Sequence, residues 1–201
     1  MKVIFTSKGD LISCSLNGNI KIWYLNNKDS KNITLKHINS VNSILLLEDK
    51  NILVSSGVGI KFWNLTNNNI IFSDDNVYTN WNNGLDKIDD DNIIICNNNN
   101  NKSLIIFSIS KLKSIKIIDI DFECYSIRVF KNKGIFLVGG RYKVYDDIFY
   151  YNIYVYLLGN YELLQTIEKA HNGYINGFAQ SINNTIVSYS LDSSIKTWLF
   201  E

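Results

Sequence analysis

The sequence predicts an all-β protein assembled from about five copies of one unit of four antiparallel strands. Three observations lead to this prediction: short runs rich in Ile, Val, Tyr and Ser, turn residues between those runs, and a phrase near the start that recurs near the end. Such runs suit strands of about four to seven residues. No long stretch shows the periodicity of a helix, so little helix is expected.

The recurring phrase defines the repeat. The segment "DLISCSLNGNIKIWYL" aligns without a gap with "TIVSYSLDSSIKTWLF", which places Trp23 opposite Trp198. Weaker copies place Trp63, Phe107 and Tyr156 at the same position, and successive spacings are 40, 44, 49 and 42 residues. A period of about 40 to 45 residues with four short strands is typical of the blades of a β-propeller.

The chain is predicted to form one array of repeats over residues 1–201, with approximate blades 1–36, 37–73, 74–120, 121–168 and 169–201. The first and last blades are expected to be incomplete, because the first copy begins inside its first strand and no fourth run follows Trp198. We therefore expect either an open arc or a five-bladed ring whose last blade has three strands.

The last copy carries four polar or aromatic residues at characteristic positions, His171, Ser188, Asp192 and Trp198, and through them it resembles the repeat of the WD-repeat β-propeller family. The resemblance implies that these side chains form a buried structural tetrad of hydrogen bonds. The residue types suit that role, since the indole only donates, the carboxylate only accepts, and serine and neutral histidine do both.

Two other copies keep part of this pattern. The first has Ser13, Asn17 and Trp23, and the second has His37, Ser55 and Trp63 with two residues deleted where the aspartate belongs. The third and fourth copies are assigned from strand pattern and spacing alone.

The composition argues against several classes of protein. A net charge of +1 supplies no basic surface for nucleic acid or anionic membrane, and no apolar run approaches the roughly 20 residues of a membrane span. A cytoplasmic or nuclear protein is expected. The three cysteines, at positions 14, 96 and 124, are odd in number and widely spaced, which predicts reduced, buried thiols. The 29 asparagines reflect codon bias, so the "CNNNNNKS" tract is interpreted as a drifted loop.

No constellation in the sequence predicts catalysis, a metal site or a cofactor. Ser188, His171 and Asp192 together invite a hydrolase hypothesis, but no nucleophile-elbow motif accompanies them and each has a place in the repeat. The acidic runs "SDDN" and "DKIDDDN" lack the ligand spacing of a calcium loop and are predicted to be solvated turns.

An insertion in the fourth copy, "RYKVYDDIFYY", supplies the candidate protein-binding residues. It predicts a two-stranded ribbon that extends the second and third strands, with its turn at the two aspartates 146 and 147. Aromatic residues with an arginine are typical of interface hot spots. The candidates are Arg141, Tyr142, Tyr145, Phe149 and Tyr151. The alternative is that these aromatic side chains fold back to cover their own blade.

These observations predict a non-enzymatic scaffold that binds one or more proteins, with self-association through unpaired edge strands as a further interaction. The alternative is a fragment of a larger WD-repeat propeller protein without independent activity.

Overall fold

The computed structural model describes residues 2–25, 32–37, 39–79, 83–145 and 147–200. They form five small antiparallel sheets, and the only helices among them are two three-residue 3-10 turns. The all-β prediction is therefore confirmed. Contacts divide the chain into two compact units, Met1–Asn82 with two sheets and Asn83–Glu201 with three.

The first sheet has four strands in sequential order: β1 (Lys2–Phe5), β2 (Leu11–Cys14), β3 (Asn19–Trp23) and β4 (Ile33–Lys36). The expectation of an incomplete first blade is corrected here, because the short apolar run before Leu11 pairs along its whole length with β2. The inward-facing residues of β2 and β3 alternate with more exposed ones, as a period of two requires.

The second sheet has β5 (Val41–Leu47), a 3-10 turn (Glu48–Lys50), β6 (Ile52–Asn64) and β7 (Asn69–Tyr78). Strand β6 folds back on itself, because the Leu65 amide donates to the Asn51 carbonyl oxygen at 2.8 Å. Its two halves are thus the second and third strands of the repeat. Gly59 lies at the bend with a φ of 86°, a conformation that favours glycine and allows so short a connection.

The third sheet consists of β8 (Leu85–Lys87), β9 (Asn92–Asn97), β10 (Ser103–Ser108) and β11 (Lys113–Asp119), with β11 and β8 at its edges. Almost every residue of β9 and β10 is buried, which explains why their apolar residues run continuously instead of alternating.

The fourth sheet consists of β12 (Glu123–Phe130), a 3-10 turn (Lys131–Lys133), β13 (Ile135–Tyr145), β14 (Ile148–Leu157) and β15 (Leu163–His171). The fifth consists of β16 (Ile175–Gln180), β17 (Ile186–Ser190) and β18 (Ile195–Trp198). The three-stranded last sheet agrees with the prediction within the described residues.

Two strands continue past the approximate blade boundaries at residues 73 and 168, and the division into blades stays a prediction. β7 continues past residue 73 because Tyr78 pairs with Val58, and β15 continues past residue 168 because His171 pairs with Tyr151. Whether the array is open stays a prediction.

Each unit has its own apolar core. In the first unit Ile12, Ile20, Ile44 and Leu53 are at most 1% exposed and belong to one cluster with Trp63. In the second unit one cluster joins the third and fourth sheets and another joins the fourth and fifth. The sheets are therefore held together mainly by burial of apolar side chains between their faces.

Candidate functional site

The four predicted tetrad residues of the last copy lie in one chain of hydrogen bonds. The Trp198 indole N–H donates to Ser188 Oγ at 2.8 Å, and Ser188 Oγ lies 2.7 Å from His171 Nε2. His171 Nδ1 lies 3.0 Å from Asp192 Oδ2. Because the carboxylate can only accept, Nδ1 carries the proton of the neutral imidazole and the serine hydroxyl donates to Nε2.

The same arrangement stabilises the charge of Asp192. Burial alone raises the pKa of this carboxyl, but hydrogen bonds from Ser194 and from the Asn172 backbone amide, together with that of His171, lower it overall. Burial lowers the pKa of His171, and Asp192 opposes this effect only in part. The imidazole therefore stays neutral, as the tautomer above requires.

The sequence of contacts from Ser188 through His171 to Asp192 is that of a hydrolytic triad, but the surroundings of these side chains suit a structural role. Ser188 is fully buried and already accepts the Trp198 indole N–H, so its oxygen faces protein on both sides. A nucleophilic serine needs an open approach for a substrate carbonyl.

The first copy keeps half of this series of hydrogen bonds. Trp23 donates to Ser13 at 2.9 Å, as Trp198 does to Ser188. Asn17 takes the place of Asp192 and accepts the Asn19 amide at 3.2 Å, as Asp192 accepts the Ser194 amide. Ser15 also donates to Asn17.

The second copy keeps the serine and tryptophan bond but leaves its histidine unpaired. Trp63 donates to Ser55 at 2.8 Å. His37 is 6% exposed, and neither ring nitrogen has a hydrogen-bond partner among the described residues. Burial and the charge of Lys61 lower the pKa of His37 to about 4, against weaker opposition from Asp75 and the Ser55 backbone.

The predicted ribbon in the fourth copy is present. β13 and β14 pair from Ile135↔Leu157 out to Tyr145↔Ile148. Asp147 lies in the turn, whereas residue 146 lies outside the described residues. The ribbon is a direct extension of the second and third strands of the fourth sheet.

Three of the five candidate binding residues meet at the base of this ribbon. Arg141 pairs with Tyr151 across the strands, and the Arg141 guanidinium lies 4.5 Å from the centre of the Phe149 ring. Arg141 also donates to Glu123 Oε2 at 2.6 Å and to the Tyr174 hydroxyl at 2.9 Å.

Further aromatic side chains complete the group. The Tyr125 hydroxyl donates to Glu123 at 2.6 Å, and the Tyr174 ring lies 4.5 Å from that of Tyr125 and 5.2 Å from that of Tyr151. We call this group the Arg141 cluster; it consists of Glu123, Tyr125, Arg141, Phe149, Tyr151 and Tyr174.

Charge pairing fixes the ionisation states in the Arg141 cluster. Burial raises the pKa of Glu123, but the Tyr125 hydroxyl and the Arg141 guanidinium outweigh it and lower the pKa. Burial, and then the hydrogen bond to Glu123, raise the pKa of Tyr125. An ionised carboxylate, a protonated phenol and a guanidinium therefore share one network, which is stronger than neutral hydrogen bonds.

The other two candidates lie elsewhere. Tyr142 packs against the core between the third and fourth sheets, whereas Tyr145 lies near the ribbon tip with 63% of its surface exposed. The five candidates thus do not form one surface. Sequence reasoning missed Glu123, Tyr125 and Tyr174 because only the pairing of β12 with β13, and a contact across 33 residues of sequence, brings them to Arg141.

Two polar segments and one pair of cysteines have more structure than the sequence predicts. Asp86, expected in a solvated turn, is 8% exposed and accepts the Val129 amide at 2.7 Å. Asn98 of the asparagine tract donates to the Cys124 carbonyl and accepts the Cys124 amide. Cys96 and Cys124 are joined in a disulfide with Cα atoms 5.7 Å apart, which corrects the expectation of three reduced thiols; β9 and β12 of neighbouring sheets bring them together.

The described residues contain no group of three or more His, Cys, Asp or Glu side chains that could hold a metal ion. None of the helices in that part of the chain is long and apolar enough to cross a bilayer.

Solved structures of similar fold are numerous. The WD40 β-propeller domain of Doa1 matches with a TM-score of 0.76 at 18% identity, over 99% of this chain and 63% of that one. The fold is that of a β-propeller. A chain of a mitotic checkpoint complex matches with a TM-score of 0.78 at 15% identity, over 98% of this chain and 60% of that one.

The computationally designed Ika8 protein matches with a TM-score of 0.72 at 17% identity, over 98% of this chain and 57% of its own. This propeller thus spans about three fifths of the length of each of these structures. No known family profile and no curated protein matches the sequence.

Proposed function

We propose that this propeller is a non-enzymatic scaffold that binds one or more proteins, and that the tip of the β13–β14 ribbon is a contact surface. The observation that carries the proposal is the contrast between the two ends of the ribbon. Its base is fixed by the Arg141 cluster, whereas Tyr145, Ile148 and Val144 near the tip are 63%, 44% and 37% exposed.

This contrast suits recognition. A rigid base reduces the entropy that binding would cost at the tip, and an exposed tyrosine beside aliphatic side chains is the type of anchor that interfaces use. The propeller fold of the neighbours, one of them in a multiprotein complex, supports a scaffold role by analogy of fold alone.

The experiment compares two variants of the same ribbon. Tyr145→Ser with Ile148→Ser changes the tip only, whereas Phe149→Ser disturbs the base. The unchanged protein and both variants are immobilised, and the proteins that each one captures from an extract of the source cells are quantified. Thermal unfolding of the three proteins is recorded in parallel. We expect the tip variant to lose a defined set of proteins at unchanged stability. An identical set of captured proteins for the tip variant would contradict the proposal.

Self-association is a second part of the proposal. β18 pairs only with β17 among the described residues, and Ile195 on this edge strand is 74% exposed. Light scattering over a concentration series should show a dimer that Ile195→Lys abolishes. A monomer at every concentration would rule this part out. A cytoplasmic or nuclear location stays a proposal as well.

The alternative is that this chain is a fragment of a larger propeller protein and has no independent activity. The observation that favours it is the coverage of only 57 to 63% of the neighbouring chains. Sequencing the transcript on both sides of this reading frame tests it, since further repeats in frame would support the alternative.

A further inference from the structure

A cleft of about 500 Å³ lies in the second unit, between the end of β11 and the β14 and β15 side of the fourth sheet. Its floor is aromatic. Tyr154 and Tyr156 are two residues apart on β14 and therefore face the same way. Tyr154 stacks on Phe122 with ring centres 3.6 Å apart, and Tyr156 stacks on Phe136 at 4.9 Å. Stacking on both rings makes this floor rigid.

One polar group in the floor lacks a partner. The Tyr156 side chain is 4% exposed and lines the cleft, yet its hydroxyl forms no hydrogen bond with any described residue. The Tyr154 hydroxyl, in contrast, accepts from Asn152 at 3.3 Å. Burial raises the pKa of Tyr154 to about 12, and burial also raises the pKa of Tyr156, so both hydroxyls stay protonated. The ring of Tyr156 is buried, but its hydroxyl opens to the cleft and can bond a molecule held there.

The rim of the cleft is acidic. Asp119 and Asp121 line it, both are exposed, and neither forms an ion pair with a described residue. Burial is the main cause of the raised pKa of both floor tyrosines, and the charge of Asp121 contributes to it in the same direction. Lys116 offsets this charge only in part, because two carboxylates face one ammonium; the ammonium lies 5.2 Å from the centre of the Tyr161 ring, which also lines the cleft, and donates to the Asn160 carbonyl oxygen at 2.8 Å.

We propose that this cleft binds an organic cation, a primary ammonium or a guanidinium carried on an alkyl stem. The carboxylates of Asp119 and Asp121 attract the charge, and the Tyr156 hydroxyl accepts one of its N–H groups. Ile118 and the half-exposed Leu163 provide an apolar wall for the stem. An anion is excluded by the two carboxylates, and a wholly apolar ligand would leave them and the hydroxyl without a partner.

Such a cation has two sources, a free amine or the side chain of a lysine or arginine in another polypeptide. The chemistry of recognition is shared, so the experiment uses one probe for each source. The proposal is independent of the scaffold role assigned to the ribbon tip, because the cleft and the tip have no residue in common.

Backbone amide NMR of the ¹⁵N-labelled chain follows two titrations at constant ionic strength. The free-amine probe is n-butylammonium chloride, with n-butanol as its neutral control. The polypeptide probe is acetyl-Gly-Lys-Gly-amide, with the norleucine peptide as its control. We expect saturable shifts at the Ile118–Phe122 amides with the cations only, weakened by added salt.

Variants locate the site. The double variant Asp119→Asn with Asp121→Asn should weaken binding about tenfold or more. Tyr156→Phe keeps the ring and removes only the hydroxyl, and should weaken it about threefold or more. Asp147→Asn, an exposed carboxylate outside the cleft, should leave the Kd unchanged. The amide spectrum without probe verifies that each variant is folded.

A stronger response to the peptide would identify a protein side chain as the ligand, and a stronger response to n-butylammonium a free amine; either supports the site. The proposal is overturned if n-butanol shifts the same amides as strongly as n-butylammonium. It is also overturned by an unchanged Kd in the Asp119/Asp121 double variant, or by the absence of any saturable shift at Ile118–Phe122.

Discussion

The indole N–H of Trp63 donates a hydrogen bond of 2.8 Å to the hydroxyl of Ser55, although the two residues are only eight apart in sequence. The equivalent pairs, Ser13 with Trp23 and Ser188 with Trp198, are ten apart. The two-residue deletion in the second copy therefore shortens the bend of β6 without breaking this bond. It removes instead the acidic residue that would pair with His37.

The two histidines of the repeat should respond in opposite ways to the same change. His171→Leu removes a partner of Ser188 and Asp192 and should lower the free energy of unfolding by about 1–3 kcal/mol. His37→Leu removes a buried group without a partner among the described residues and should raise it by about 1 kcal/mol. Urea unfolding of both variants measures this. A loss of stability in His37→Leu comparable to that in His171→Leu would show that His37 is paired.

His37 should also make the protein less stable in mild acid. Its pKa is about 4 in the folded chain, against an ordinary value of 6.5, so the unfolded chain binds more protons between these values and stability falls as the pH drops. From about pH 7 to about pH 5 this one group should cost about 2 kcal/mol.

The comparison with His37→Leu isolates this effect from those of the carboxylates, including Asp75, and of Lys61. Urea unfolding at both pH values should give a smaller acid loss in the variant. Equal losses in the two proteins would mean that His37 does not titrate in this range.

Gly57 should not tolerate a side chain. A Cβ at this position would lie 1.9 Å from the Ser40 carbonyl oxygen, so the backbone of the second sheet would have to move. Gly57→Ala should therefore cost about 3 kcal/mol or more. Gly159→Ala is the matched control, since a Cβ there meets nothing within 4 Å and the change should stay within about 0.5 kcal/mol. Thermal unfolding of both variants gives the comparison.

The chain has two arginines, and only one should matter for stability. Arg141→Lys keeps the charge but loses the planar contacts of the Arg141 cluster, and should cost about 1–2 kcal/mol. Arg128 is 55% exposed and lies 3.8 Å from Asp86, so Arg128→Lys should change stability by less than about 0.5 kcal/mol. Equal effects in urea unfolding would show that the network at Glu123 contributes little.

The cysteine pairing can be read from thiol labelling. Alkylation of the unfolded, unreduced protein should label Cys14 alone, and reduction should release Cys96 and Cys124 for labelling. Intact-mass spectrometry counts the labels. Three labels without reduction would restore the sequence-based prediction of free thiols.

The sequence by itself determined the repeat, the strand order within each blade and the tetrad positions, because these depend on local runs and on a period that survives in the residues. Trp23, Trp63 and Trp198 carry that period, and each indole bonds the serine that the alignment places opposite it. Only the tertiary structure decided the rest.

Contacts between neighbouring strands and sheets are set by packing, which leaves no local pattern in the chain. That is why Arg141 meets Glu123 and Tyr174, why Asp86 is buried, and why Cys96 lies beside Cys124. The same reason separates Tyr142 and Tyr145 from the three candidates that meet at the ribbon base. Their spacing along the ribbon is visible in the sequence, but the direction in which each side chain is buried depends on what the neighbouring blades place against it.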